Sequence, residues 1–267
     1  MMQTDGEKCL VAEKGGDGSL IIEARNLTHQ FEGGMGGVRD VSLSIRKGEF
    51  VLVAGANGSG KTTLLRHLNG LLLPQKGEVL VAGISVTRDP AMARRKVGMV
   101  FQDADSQIVG QTVYEDVAFG PENLCWKRAS IDRAVGEVLA ELGLTHLADQ
   151  SPHLLSGGER RRLTIAGVLA MRPEVLVMDE PFANLDYPGV RQILRHILQL
   201  HQKGHTIVMA AHDLEKVGIL AQRLVIMSKG EVAADGPTLE MLPLAERFDI
   251  RAPCATRFGK EVTSWLS

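Results

Sequence analysis

The sequence predicts an α/β fold built on a mostly parallel sheet, and three observations carry that reading. Residues 49–54, 175–178 and 206–210 are short, almost wholly apolar runs, the pattern of strands covered on both faces. Segments of helical period lie between such runs. Val190, Ile193, Leu194, Ile197 and Leu198, for example, share one face at i, i+3, i+4, i+7 and i+8. Strands alternating with helices over 267 residues give a parallel sheet with helices on both faces. A charge of −2, from 30 basic and 32 acidic side chains, argues against charge-driven nucleic-acid binding. An apolar fraction of 44% provides for a buried core.

Taken in order, residues 1–18 scatter Gly6, Gly15, Gly16 and Gly18 among charges and read as a flexible tail. Asp5, Glu7, Glu13 and Asp17 stand where a secretory signal would be basic and apolar. No run reaches the roughly 18 apolar residues that cross a bilayer, so a cytosolic location is expected. Cys9, Cys125 and Cys254 are odd in number and far apart, which suits reduced thiols. Residues 19–26 and 41–45 alternate apolar and polar like half-buried strands, with a turn at the cluster Gly33, Gly34, Gly36, Gly37. Ser130 is placed to cap a helix with apolar positions Ile131, Val135, Val138, Leu139 and Leu142, and Gly143 to end it. That helix lies in a stretch, about 103–165, with few strand signals, which reads as a helical insertion. Residues 225–227 and 231–234 form a late hairpin across Lys229-Gly230.

Chemistry enters after the first apolar strand. Gly55-Ala56-Asn57-Gly58-Ser59-Gly60-Lys61-Thr62 fits GxxxxGK[ST] between a strand and a helix carrying Leu64, Leu65 and Leu68. Glycines let the backbone curl so that N–H groups point at phosphate oxygens, the helix N-terminus adds its positive end, and Lys61 supplies a cation for the β- and γ-phosphates. Thr62 can offer its hydroxyl to Mg²⁺, and Thr63 lies near the α-phosphate. The strand 175–178 runs into Asp179 and Glu180. Neighbouring strand residues point in opposite directions, so Asp179 is assigned to the metal and Glu180 to an attacking water. These two features alone leave kinases, motor proteins and helicases open.

Leu155-Ser156-Gly157-Gly158-Glu159 narrows the class. A serine hydroxyl and glycine N–H groups at a helix start make a second anion site. The phosphate loop, LSGGE and VLVMDEP, in this order, resemble the nucleotide-binding subunit of an ATP-binding-cassette (ABC) transporter, in which LSGGQ is the commoner signature. The resemblance implies a P-loop NTPase cassette over 19–236: a mostly parallel core, an N-terminal antiparallel β subdomain and an inserted helical subdomain at 103–165, followed by a short extension, 237–267. It implies ATP and Mg²⁺ as ligands. It also implies head-to-tail pairing with a second ABC ATPase subunit, identical or paralogous, so that Ser156, Gly157, Gly158 and Glu159 act on the partner's ATP.

Further roles rest on the same likeness. Gln102 resembles the glutamine loop that contacts Mg²⁺ and water, Asp186 the D-loop aspartate, His212 the switch histidine, and Phe31 the ring stacked on adenine. His196, His201 and His205 do not share one helical face, which disfavours a metal site. No coiled coil separates the two phosphate motifs, unlike chromosome-maintenance relatives. The stretch 100–123, with 165–171, resembles ATPases of energy-coupling-factor importers, including cobalt and nickel systems. That likeness implies a transmembrane coupling protein and a substrate-binding membrane subunit as partners, no nucleic acid, and a peripheral place on the cytoplasmic face of the cell membrane. Asp103, Asp105, Glu115 and Asp116 would meet arginines of the coupling protein. Another class of ABC transporter, or a soluble ABC clamp on nucleic acid or protein, is the alternative. Cobalt, nickel, biotin and other vitamins are all compatible as cargo, and the resemblance leans toward cobalt or nickel.

Overall fold

A computed structural model describes residues 18–33, 36–260 and 264–266; the tail expected at 1–18 lies outside these except for Gly18. Alternation along the central strands sets the layering. In β3 (Phe50–Ala54), Phe50, Leu52 and Ala54 enter one core while Val51 and Val53 enter another. β7 (Val175–Asp179) and β8 (Thr206–Ala211) divide in the same way, Leu176, Met178, Ile207 and Met209 against Val175, Val177, Val208 and Ala210. A strand apolar at every position must be covered on both sides. With β6 (Val97–Val100), β9 (Arg223–Ser228) and β10 (Glu231–Pro237) these strands form a six-stranded sheet of order β10-β9-β3-β8-β7-β6. All its pairings are parallel except β9 with β10. The β9–β10 turn has Lys229 and Gly230 both at positive φ, the geometry of a two-residue hairpin.

Helices cover only one face fully, which corrects the sequence expectation. The second core is closed by α1 (Lys61–Leu68), by Ala93 of α2 (Pro90–Lys96) and by a four-stranded antiparallel sheet of order β2-β1-β4-β5. Its strands are β1 (Leu20–Gln30), β2 (Gly37–Arg46), β4 (Lys76–Val81) and β5 (Ile84–Ser85). Ile22, Ala24, Val41, Leu43 and Ile45 give this sheet one apolar face, and the large sheet's free side is where it is buried.

The first core lies under α3 (Val113–Asn123), α4 (Arg128–Glu141), α5 (Gly157–Leu169) and α6 (Tyr187–Gln202). α4 starts before Ser130: the N–H groups of Ser130 and Ile131 both donate to the Lys127 carbonyl, making Lys127 the cap. It ends as expected, with Gly143 at φ +66°. On α6, Leu200 rather than Leu198 completes the buried face. Among the described residues, 101–174 contain no strand.

Candidate functional site

The phosphate loop is held curled by its neighbours. A Cβ at Gly55 would lie 2.2 Å from Ser59 Oγ and 2.6 Å from the Met227 carbonyl, and one at Gly60 2.6 Å from the Gly37 carbonyl. Gly60 also sits at φ +101° as the N-cap of α1, a conformation that favours glycine. The Gly230 N–H donates to the Ser59 carbonyl (3.1 Å), and the Arg39 N–H to that of Gly230 (2.7 Å). The β9–β10 turn thus bonds the loop directly, and β2 backs both the turn and the loop below the positive end of α1. Lys61 folds back, donating from Nζ to the carbonyls of Gly55 (2.7 Å) and Ala56 (3.1 Å). An ammonium has three donors, so one is left for a phosphate. Burial lowers the Lys61 pKa, opposed by Glu180 and Asp179.

Asp179 closes β7 at 3% exposure. The Thr62 hydroxyl donates to its Oδ2 (2.7 Å), while Oδ1 and Ser59 Oγ are buried without a hydrogen-bond partner. Burial pushes the Asp179 carboxyl above the usual range, against the Thr62 hydrogen bond and the Lys61 charge. An orphaned buried acceptor is costly. One carboxylate and one hydroxyl beside a phosphate cradle fit Mg²⁺, which takes few protein ligands and relies on phosphate oxygens and water. Among the described residues no group of three His, Cys, Asp or Glu is arranged to hold a metal by itself.

Glu180 lies just past the strand at φ +49°, an uncommon conformation for a non-glycine residue that clusters at functional sites. Its N–H donates to the Ala210 carbonyl (3.0 Å), and its Oε2 lies 2.7 Å from Nδ1 of His212, at the end of β8. The Glu180 side chain is 13% exposed and that of His212 61%. Lys61, Thr62, Asp179, Glu180 and His212 therefore converge; Glu180 lies beyond β7 with a left-handed backbone, so strand alternation is not what orients it.

The signature lies elsewhere. Ser156 caps α5 in a capping box: Glu159 Oε2 accepts from Ser156 N (2.8 Å) and Oγ (2.6 Å), and Ser156 Oγ accepts from Glu159 N (3.3 Å). These bonds hold the Glu159 carboxyl below its ordinary pKa. Gly157 and Gly158 open the helix beside Asn184 and Gly189. Asp186 Oδ1 accepts from Gly189 N (3.0 Å), capping α6. α5 packs mainly on α3, α4, α6 and β6, whereas α1 packs on β2, β4, β7 and β8. One chain thus carries two anion sites on different elements.

Gln102 is exposed, in a loop fixed by two residues that sequence reasoning passed over. Gln107 accepts from Phe101 N and donates to the Met99 carbonyl (3.0 Å each). Arg161 donates to the carbonyls of Phe101 and Gln102 (2.6 Å each). Nothing in the basic run 160–162 distinguishes Arg161 by sequence. Phe31, 40% exposed, follows β1 with its ring 4.8 Å from His29, which in turn lies edge-on to the buried ring of His67. The acidic stretch does not form one free face. Asp116 is buried and accepts from Val109 N (2.7 Å) and Gly110 N (3.0 Å). Glu115 caps its own helix, and Asp105 pairs with Arg160 (3.0 Å).

No helix among the described residues is long and apolar enough to cross a membrane. The sequence model of the ABC transporter family matches residues 38–183. The cobalt import ATP-binding protein CbiO of Rhodobacter capsulatus is 45% identical over 225 residues, 83% of this chain and 80% of the relative. The energy-coupling factor transporter ATP-binding protein EcfA of Methanothermobacter thermautotrophicus is 40% identical over 239 residues, 87% of this chain and 77% of the relative. Among solved structures, CbiO1 of Clostridium perfringens, part of the ABC transporter complex CbiONQ, superposes with a TM-score of 0.77 at 32% identity, covering 90% of this chain and 97% of that one.

Proposed function

This chain belongs to the ABC transporter family and is an ATP hydrolase, and from that premise we propose that it powers an energy-coupling-factor importer from the cytoplasmic face of the membrane. The observation that carries the reading is the separation of the Lys61 cluster from the Ser156 cap on one chain. A nucleotide gripped by both needs two chains, head to tail, each lending its signature to the other's ATP. Cassette 19–236, with the helices of 103–165 as the part facing a transmembrane coupling protein, is the unit that closes and opens. Cobalt is the favoured cargo, on the likeness to CbiO.

In the closed pair Glu180 orients the attacking water, with His212 holding its carboxylate, while Lys61 and the loop amides stabilise charge on the transferring phosphoryl group. Thr62 and Asp179 would hold Mg²⁺, which would supply charge neutralisation at the phosphates. Phe31 receives the base, Gln102 senses the occupied site, and Asp186 leaves its own helix cap to reach the partner.

Glu180→Gln tests this. ATP binding should persist and turnover fall by about 10²–10⁴, with a closed dimer accumulating in light scattering. Near-normal turnover removes Glu180 from the reaction. Recovery of the tagged chain with nucleic acid, and without an integral membrane protein, would refute the importer assignment.

A further inference from the structure

We propose that Arg161 is a positioning residue that locks the glutamine loop to the signature helix, so that the state of a chain's own nucleotide site is transmitted to the serine it lends its partner. The proposal rests on the reading of Gln102 and Ser156 given above. Arg161 is 3% exposed, and burial lowers its pKa, with only partial relief from Asp103 and Asp105. A guanidinium at such depth is costly to desolvate, and packing alone would be met by an uncharged side chain.

Its described side-chain hydrogen bonds go to two successive carbonyls, those of Phe101 and Gln102, at 2.6 Å each. The planar guanidinium presents its donors at a fixed spacing, so the two bonds fix the orientation of the loop as well as its position. Arg161 belongs to α5 and lies five residues past the Ser156 cap. A shift of Gln102 must therefore carry the start of α5 with it.

Arg160 doubles the brace, with Nη1 donating to the Leu155 carbonyl (2.5 Å) and Nε facing Asp105 (3.0 Å). The other end of the loop is tied to β6 through Gln107. The stretch 101–107 is thus anchored to the sheet and braced against the signature, as a lever between the two anion sites requires.

The test compares Arg161→Gln and Arg161→Lys in the full chain. Arg161→Gln should bind ATP at the single site within about twofold of wild type and melt at a similar temperature, while kcat falls about 2- to 30-fold, the range typical of mutations along a coupling route. Arg161→Lys keeps one donor head and should recover part of the loss. Wild-type kcat in folded Arg161→Gln overturns the proposal. So does a fall in ATP affinity or melting temperature that accounts for the whole defect with no recovery by lysine, because the role is then structural only. Ser156→Ala, run alongside, examines the underlying reading separately: unaltered turnover there removes the signature from the partner's site whatever Arg161 does.

Discussion

Replacing Glu159 by Gln separates the two duties of the Ser156 hydroxyl. In the unpaired chain that hydroxyl donates to the Glu159 carboxylate at 2.6 Å, and the same oxygen, Oε2, accepts from the Ser156 N–H at 2.8 Å. A hydrogen bond to a charged group is worth about 1.5–3 kcal/mol and a neutral one about 0.5–1.5 kcal/mol. Ser156 is exposed, so solvent screening places this pair at the low end of both ranges, and the exchange weakens the capping box by about 1 kcal/mol. For a chain of this size that corresponds to a fall in Tm of about 2–4 °C.

The same 1 kcal/mol no longer opposes donation from Ser156 to a partner's phosphate, and a carboxylate no longer faces the triphosphate. Half-saturation for ATP in steady-state phosphate release should therefore drop about fivefold. The pH dependence has a definite sign. The folded carboxyl sits below its ordinary pKa of 4.5, so its stabilisation is present above 4.5 and is lost as pH falls through the lowered folded value. Melting temperatures of wild type and Glu159→Gln should differ at neutral pH and converge in acid. A variant that melts earlier as calculated, with unchanged or raised half-saturation for ATP, would refute the competition between carboxylate and phosphate for Ser156.

Two further outcomes follow from the geometry. Gly60→Ala places a Cβ 2.6 Å from the Gly37 carbonyl at φ +101° and should lose at least about tenfold in ATP affinity by calorimetry, at a local cost of about 1–3 kcal/mol. Gly58→Ala has nothing within 4 Å and should be milder; equal affinity for the two variants would contradict the clamping of the loop by β2. Burial lowers the pKa of His67, His196 and His205 from 6.5, so the unfolded chain takes up protons first. Stability is retained above 6.5 and declines as pH falls toward the folded values. Thermal scans at pH 7.5 and 5.5 should show the drop, smaller in His67→Gln, and a flat profile would show that these rings titrate as free histidines do.

Sequence by itself determined the phosphate loop, the strand that ends at Asp179, the Ser156 cap and the Lys229-Gly230 turn. Each is a contiguous run whose chemistry is local: glycines where the backbone must curl, apolar residues where both faces are covered, a hydroxyl where a helix begins. Tertiary structure alone decided that the Thr62 hydroxyl meets a carboxylate 117 residues away, that Glu180 turns to His212, and that Asp116 points inward to cap a loop. It also decided that a sheet rather than a helical layer closes much of the second core, and that one arginine of three in a basic run grips the glutamine loop. Contacts between distant segments depend on how elements pack, and the solvated and buried roles of an Asp or an Arg are written with the same letter.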